Sequence, residues 1–108
     1  MTIEKTNRLN ILTDFYGDLL NDKQRMVLQL YYSEDFSLSE IAESLGSSKQ
    51  AASDLLKRSE KKLEKFESVL GLAAKEADRS KILSDLFKNY SKDTELLKQL
   101  DALRRIDE

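Results

Sequence analysis

The sequence predicts an all-α fold with a helix-turn-helix core, a long fourth helix and additional C-terminal helices. The chain of 108 residues has no proline and only three glycines, so long helices can form without the residues that usually interrupt them. Apolar residues recur at spacings of three and four along most of the chain, which is the period of an amphipathic helix. In the middle, a short amphipathic segment is followed by Gly46 and two serines, a pattern typical of the sharp corner in a helix-turn-helix.

The first two helices are predicted from apolar spacing and from one cap. The first helix is expected from about Ile3 to Leu20. Its apolar stripe consists of Leu9, Leu12, Phe15, Tyr16, Leu19 and Leu20. Asn21 is a favourable N-cap for the second helix, and Gln24 three residues later completes a capping box. The buried face of the second helix is expected to consist of Met26, Val27, Leu30 and Tyr31.

The acidic segment 33–35 is expected to end the second helix, directly after two adjacent tyrosines. Of these, Tyr31 is expected in the core. Tyr32 is expected to be a half-buried surface residue or, alternatively, an exposed stacking group for RNA.

The predicted helix-turn-helix consists of a short third helix, a corner and a long fourth helix. Ser37 and Glu40 form a second capping box at the start of the third helix. Its inward residues are Leu38, Ile41, Ala42 and Leu45. Gly46 then stands where the turn favours a positive φ, and Ser47 or Ser48 caps the fourth helix over residues 49–70. The apolar seam of the fourth helix consists of Ala52, Leu55, Leu56, Leu63, Phe66 and Leu70, with Gly71 as its stop.

Two further helices are expected over residues 73–90 and 94–106. The chain is therefore predicted to divide into a helix-turn-helix domain (1–70) and a C-terminal helical extension (71–108). The apolar stripes of the extension are Ile82, Leu83, Leu86 and Phe87, and then Leu96, Leu97, Leu100, Leu103 and Ile106. The second stripe spans under two heptads, too short to be stable alone, so the extension is expected to pack on the core or on a second copy as a homodimer.

Composition argues against an active site. The chain has no cysteine and no histidine, which removes disulfides, thiolate zinc sites, cysteine nucleophiles and the usual general base. The acidic pairs Glu34/Asp35 and Asp18/Asp22 lack metal-ligand spacing. No apolar stretch approaches the roughly 20 residues of a membrane span, and the N-terminus does not resemble a signal peptide. We therefore expect a non-enzymatic, cytoplasmic protein without cofactor, metal or membrane partner.

Charge points to the middle of the chain as the place where a polyanion would bind. Residues 47–70 carry six basic and four acidic residues, whereas residues 1–46 carry four basic and eight acidic ones. The candidate nucleic-acid-binding residues are Ser48, Lys49, Gln50, Ser53, Lys57, Arg58 and Lys61. An ordinary solvated helix face remains the alternative, because Asp54 stands amid these residues and the net charge of the chain is −2.

The sequence resembles the YlxM family of small bacterial proteins. The segments that carry the resemblance are DFY (14–16), LL (19–20), KQ (23–24), LYY (30–32), DFSLSEIA (35–42), SKQA (48–51) and KR (57–58). The resemblance implies a helix-turn-helix similar to region 4 of sigma factors. It also implies a link to the signal recognition particle, with the particle's GTPase, its small RNA, or both as partners.

Three functions follow as hypotheses. The first is an accessory or regulatory factor of the signal recognition particle, in which the fourth helix contacts phosphates and the acidic N-terminal half faces a basic protein surface. The second is a DNA-binding transcription regulator that uses the same helix. The third is a structural adaptor that dimerises through the C-terminal leucine stripe. The sequence leaves open whether RNA, DNA or protein is the primary target.

Overall fold

The structure is a computed structural model that describes residues 2–106. It has six helices: α1 (Ile3–Tyr16), α2 (Asp22–Leu28), α3 (Leu38–Leu45), α4 (Lys49–Leu70), α5 (Leu72–Asn89) and α6 (Thr94–Arg105). No strand occurs within the described residues, and the all-α helix-turn-helix prediction is confirmed. The chain divides into two compact units, Met1–Ala73 and Ala74–Glu108. None of the helices in the described range is both long and apolar enough to cross a membrane.

The first helix ends earlier than predicted. α1 stops at Tyr16 and continues as a 3₁₀ turn over Gly17–Leu19, so a single helix to Leu20 is wrong. The physical reason is that a 3₁₀ turn has about 3.0 residues instead of about 3.6, which rotates the residues that follow it. After this rotation Leu20 lies in the core and Leu19 is 55% exposed. Phe15, which was also expected in the buried stripe, lies in α1 before the turn and is 38% exposed.

The second helix begins as predicted and then changes its period. Asn21 Oδ1 accepts a hydrogen bond from the Gln24 backbone N–H at 2.8 Å, and Gln24 Oε1 accepts one from the Asn21 N–H at 3.1 Å. After α2 the chain forms a π-helical turn over Gln29–Ser33. A π turn adds a residue per turn and so shifts the buried face along the sequence. Tyr32 is consequently buried, and the expectation that it lies at the surface or stacks on RNA is wrong.

The predicted buried face of the second helix differs from the observed one at other positions as well. Met26 is 46% exposed, against the prediction that it is buried, and Leu28 is buried instead. Tyr31 is half-buried and packs against the core. The segment that follows leaves the helix through Asp35, whose φ of 59° lies in the left-handed region.

The helix-turn-helix corner forms as the sequence predicts. The Ser37 hydroxyl accepts from the Glu40 N–H at 3.1 Å, which completes the capping box of α3. Gly46 has a φ of 65°, and its N–H donates to the last turn of α3. The Ser48 hydroxyl then accepts from the Ala51 N–H at 3.0 Å and caps α4. The corner thus satisfies the free backbone groups of both helices within a few residues.

A single core joins α1 to α4 in the first unit. Its buried residues are Leu9, Leu12, Tyr16, Leu20, Val27, Leu28, Tyr32, Ile41, Ala42, Ala52, Leu56, Leu63 and Ala73. Leu70, expected in the seam of α4, is 43% exposed because α4 ends there and Gly71 takes a φ of 62°. The core holds one face of α4 against the other three helices and leaves its opposite face in solvent.

The second unit consists of most of α5 together with α6. The observed helices end or begin within one residue of the predicted ones. Asp93 caps α6 by accepting from the Leu96 N–H at 3.0 Å, and the Arg104 guanidinium lies 5.0 Å from the centre of the Phe87 ring. Leu83 and Leu100 are buried. Three members of the predicted stripes are instead exposed: Ile82, Leu103 and Ile106.

Candidate nucleic-acid interface

The orientation of α4 decides which of its side chains can meet a ligand. The residues of α4 that are buried are Ala52, Leu56, Ser59, Leu63 and Glu67. They follow one another at spacings of three and four, so they occupy one side of the helix. The other side faces solvent over its whole length of 22 residues.

Most of the predicted interface residues lie on the solvent side. Lys49, Gln50, Lys57, Arg58 and Lys61 are exposed, as is the capping residue Ser48, and Ser53 is half-buried. The predicted interface residues therefore share the solvent-exposed side of α4. The hydroxyl of Ser48 accepts from the Ala51 N–H, so its first role is to cap the helix.

The opening turns of α4 are occupied by contacts within the helix. Gln50 Nε2 donates to Asp54 Oδ1 at 3.0 Å, and Arg58 Nε is 3.4 Å from the carbonyl oxygen of Asp54. In a helix-turn-helix these turns are the part that reads base edges. Here an amide is held by a carboxylate and the neighbouring side chains are short, so this end offers little for base recognition.

Positive charge concentrates further along the helix. Lys57, Lys61 and Lys65 are spaced by four residues and so lie in one row, flanked by Arg58 and Lys62. We call these five residues the basic face. All five are exposed, and none forms an ion pair with any residue in the described part of the chain. Lys62 and Lys65 were not among the predicted interface residues, although the spacing of Lys65 from Lys61 was a signal for including it.

Two acidic residues of α4, Glu60 and Glu64, are instead directed towards α1. Lys5 Nζ lies 3.7 Å from Glu60 Oε2, and Arg8 pairs with Glu64 through two nitrogens at 3.0 and 3.2 Å. The hydrogen bond to Glu64 raises the pKa of the Arg8 guanidinium. Because α1 neutralises these carboxylates, the basic face keeps its charge next to solvent.

Two buried tyrosines form hydrogen bonds with carboxylates of α4. Tyr32 donates its hydroxyl to Glu60, and Tyr16 donates to Glu67 Oε1 at 2.5 Å. Burial, followed by the hydrogen bond to the carboxylate, raises the pKa of each tyrosine. Sequence reasoning missed Glu67 as a buried residue. The available signal was its place between Leu63 and Leu70, in the row that the helical period assigns to the core.

The same cluster fixes the chain where α4 ends. Glu67 Oε1 accepts from the Ala73 N–H at 3.0 Å, and the Tyr16 hydroxyl accepts from the Leu72 N–H at 3.0 Å. These two bonds satisfy backbone donors at the beginning of α5, which would otherwise lack a partner. A buried carboxylate and a tyrosine from α1 therefore act as the N-terminal cap of α5.

The basic face is suited to contacts with phosphate oxygens. Lysine and arginine on a single helix face bind a polyanion mainly by charge, and such contacts position a nucleic acid without reading its sequence. The basic face lies beyond the opening turns of α4, so the strongest charge of the helix is offset from the part that would enter a major groove.

Comparison with known proteins finds close relatives. The profile of a family described as "Putative helix-turn-helix protein, YlxM / p13 like" matches residues 3–103. UPF0122 protein YofM of Lactococcus lactis subsp. lactis (strain IL1403) is 47% identical over 108 residues, which cover 100% of this chain and 97% of that protein. A UPF0122 protein of Streptococcus gordonii (strain Challis) is 48% identical over 107 residues, covering 99% of this chain and 97% of that protein.

Proposed function

Because the chain belongs to the YlxM / p13-like family of helix-turn-helix proteins, we propose that it is a non-enzymatic accessory factor of the bacterial signal recognition particle pathway. In this role it works in the cytoplasm and binds the RNA of the particle through α4. The particle's GTPase is the second partner. The link to the particle rests on the family resemblance, and the mode of binding rests on the geometry of α4.

The observation that carries the mode of binding is the basic face. Five exposed basic side chains on one side of α4 have no acidic partner in the described residues, while Glu60 and Glu64 on the same helix are neutralised by α1. Such an arrangement supports binding to a phosphate backbone. Of the residues predicted from sequence, Lys57, Arg58 and Lys61 belong to it. Ser48, Lys49, Gln50 and Ser53 would contact the ligand where it extends towards the corner.

The test measures binding of the full chain to each purified partner. Fluorescence anisotropy at low salt is run with the labelled particle RNA and, separately, with the labelled GTPase. The double variant Lys57→Glu, Arg58→Glu is expected to lose at least about tenfold in RNA affinity, because two phosphate contacts become repulsive. The matched control is Lys92→Glu, Lys98→Glu, which changes the net charge equally at exposed positions of the second unit.

The outcomes distinguish an effect of the total net charge from an effect specific to the basic face of α4. Loss in the α4 variant with binding retained in the control supports the proposal. Equal loss in both variants would mean that only the total charge matters, and the basic face would then not be the site. Failure of the wild-type chain to bind either partner at low salt would remove the link to the particle.

The helix-turn-helix corner favours a second candidate, a DNA-binding transcription regulator. Gly46 and Ser48 place the exposed residues Lys49 and Gln50 at the beginning of α4, the part that enters a major groove in DNA-reading proteins, and Gln50 would exchange its hydrogen bond to Asp54 for one to a base. This candidate predicts that selection from a random duplex library returns a defined motif, and that Gln50→Ala abolishes preference for it. A selection that returns no motif would eliminate the regulator and leave sequence-independent binding.

A further inference from the structure

The outward side of α1 carries a row of exposed apolar residues. Ile11, Phe15 and Leu19 are spaced by four and are 46%, 38% and 55% exposed. The first two lie in α1 and the third in the 3₁₀ turn that continues it. We call these three residues the α1 stripe. Single exposed apolar residues are ordinary, but a row at helical spacing gives α1 an apolar face that can pack against another helix.

Acidic residues border the α1 stripe. Glu4, Asp14 and Asp18 are exposed, and the side chain of Asp18 is fully in solvent. At about 100° per residue, Glu4 and Asp14 lie on either side of Ile11, away from the buried residues of α1. Arg25 forms ion pairs with Asp18 at 3.4 Å and with Asp22 at 2.7 Å, whereas neither Glu4 nor Asp14 forms an ion pair within the described residues.

The positive charges of α1 are directed elsewhere. Lys5 and Arg8 are the two basic residues of this helix, and they pair with Glu60 and Glu64 of α4. These two ion pairs neutralise basic residues of α1 with acidic residues of α4. Lys5 and Arg8 of α1 pair with Glu60 and Glu64 of α4, which leaves an acidic border on the outside of α1 and the basic face on the outside of α4.

We propose that the α1 stripe and its acidic border form a docking site for a basic amphipathic helix of a protein partner. Apolar side chains of that helix would lie on Ile11, Phe15 and Leu19, and its flanking lysines or arginines would meet Glu4, Asp14 and Asp18. The charge of the border selects such a partner, because it repels a polyanion and an acidic helix alike. This docking site is a different surface from the basic face and does not depend on nucleic-acid binding by α4.

The test uses a defined probe. A fluorescein-labelled 18-residue helical peptide of leucine and lysine, with leucines on one face, is titrated with the full chain, and its anisotropy gives Kd. The corresponding leucine–glutamate peptide is the counter-probe. We expect binding of the leucine–lysine peptide and none of the leucine–glutamate peptide.

Two variants probe the two parts of the site. Ile11→Ser, Leu19→Ser removes apolar contacts, and Asp14→Lys, Asp18→Lys reverses the border; each is expected to raise Kd at least tenfold. The matched control, Ile82→Ser, Ile106→Ser, removes residues that are 61% and 73% exposed in the second unit and is expected to leave Kd within twofold. Backbone amide NMR shifts on titration are expected to concentrate in residues 4–19.

Several results would overturn the docking site. One is that the wild-type chain binds the leucine–glutamate peptide or fails to bind the leucine–lysine peptide. Another is that the Kd is unchanged in Asp14→Lys, Asp18→Lys, or that it rises as much in Ile82→Ser, Ile106→Ser as in the two site variants. A wild-type dimer in sedimentation that Ile11→Ser, Leu19→Ser converts to monomer would instead assign the surface to a second copy. RNA binding by the same variant is measured in parallel, so that failure here is distinguished from failure of the basic face.

Discussion

At the scale of single residues, Tyr16 makes two long-range polar connections in the first unit. It is fully buried, it donates to Glu67 and it accepts from the backbone of Leu72. Its ring also packs 5.9 Å from the ring of Phe66. One side chain of α1 thus stabilises both the last turns of α4 and the first residue of α5.

Removing the hydroxyl tests this role. Tyr16→Phe keeps the ring but leaves the buried Glu67 carboxylate and the Leu72 N–H short of one partner each, and a buried group left unsatisfied costs about 1–3 kcal/mol. We expect the free energy of unfolding, measured by urea denaturation, to fall by that amount. Tyr90→Phe is the control because Tyr90 is 51% exposed, and it should change stability little. Equal effects of the two substitutions would contradict the role of Tyr16.

The two buried tyrosines also predict how stability depends on alkaline pH. Burial, then the hydrogen bonds to Glu67 and Glu60, raises the pKa of Tyr16 and of Tyr32 above the ordinary value of about 10. In the unfolded chain both hydroxyls lose their protons first. Their contribution to stability is therefore complete below about pH 10 and is lost as pH rises through the folded-state pKa values.

The measurement is the urea midpoint between about pH 8 and pH 11.5. The wild-type midpoint is expected to decline above about pH 10, and Tyr16→Phe, Tyr32→Phe should decline less steeply from a lower starting value. An identical slope in the wild type and the double variant would show that other groups cause the decline.

At the scale of elements, the corner between α3 and α4 depends on one backbone conformation. Gly46 has a φ of 65°, and a Cβ built at this position would meet no atom within 4 Å. The cost of Gly46→Ala is therefore conformational rather than steric crowding by neighbours, about 1–2 kcal/mol. Gly46→Asn should cost less, because asparagine tolerates the left-handed region. Thermal unfolding that ranks alanine equal to asparagine would contradict this account.

The basic face of α4 predicts a salt dependence. If Lys65 contacts a phosphate, Lys65→Ala should lower the slope of log K against log salt by about 0.7–0.9, the contribution of one contact. Lys98→Ala, at an exposed position of α6, should leave the slope unchanged. Lys65 is the sharper choice for this test because it lies two turns beyond Lys57, where a protein that used only the opening turns of α4 would not touch its ligand.

At the scale of the whole molecule, the chain has two units, and the second presents its own apolar surface. Leu83, Leu103 and Ile106 line a shallow depression together with Arg79, and Leu103 and Ile106 are 53% and 73% exposed. Homodimerisation through this surface stays a prediction. Leu103→Asp, Ile106→Asp tests it better than substitutions at Leu100, because Leu100 is buried and its loss would unfold the unit.

Light scattering supplies the measurement. A wild-type dimer that becomes monomeric in Leu103→Asp, Ile106→Asp would support association of two copies through the C-terminal helices. Monomeric wild-type protein at micromolar concentration, or a mass that the substitutions leave unchanged, would refute it. Ile11→Ser, Leu19→Ser is the control, since it alters apolar residues of similar exposure in the first unit.

Local features of the molecule could be predicted from the sequence because they depend on neighbouring residues. The capping boxes at Asn21 and Ser37, the left-handed glycines at positions 46 and 71, and the extent of α4 all agree with the prediction. Each is determined by interactions over three to five residues, which a sequence displays directly. The same holds for the row Lys57, Lys61 and Lys65, whose common face follows from the helical period alone.

Tertiary structure decided what depends on residues far apart in the chain. The 3₁₀ turn after Tyr16 and the π turn after α2 change which side chains are buried, since each adjusts the register of a helix to the core it meets. The pairing of Arg8 with Glu64 joins positions 56 residues apart, and it neutralises an acidic side chain of α4 while the basic face of that helix stays exposed. The amino-acid sequence by itself thus determined the capped helix starts and the glycine stops, whereas packing between the helices determined where α1 and α2 change their period and which charges and apolar residues remain in contact with solvent.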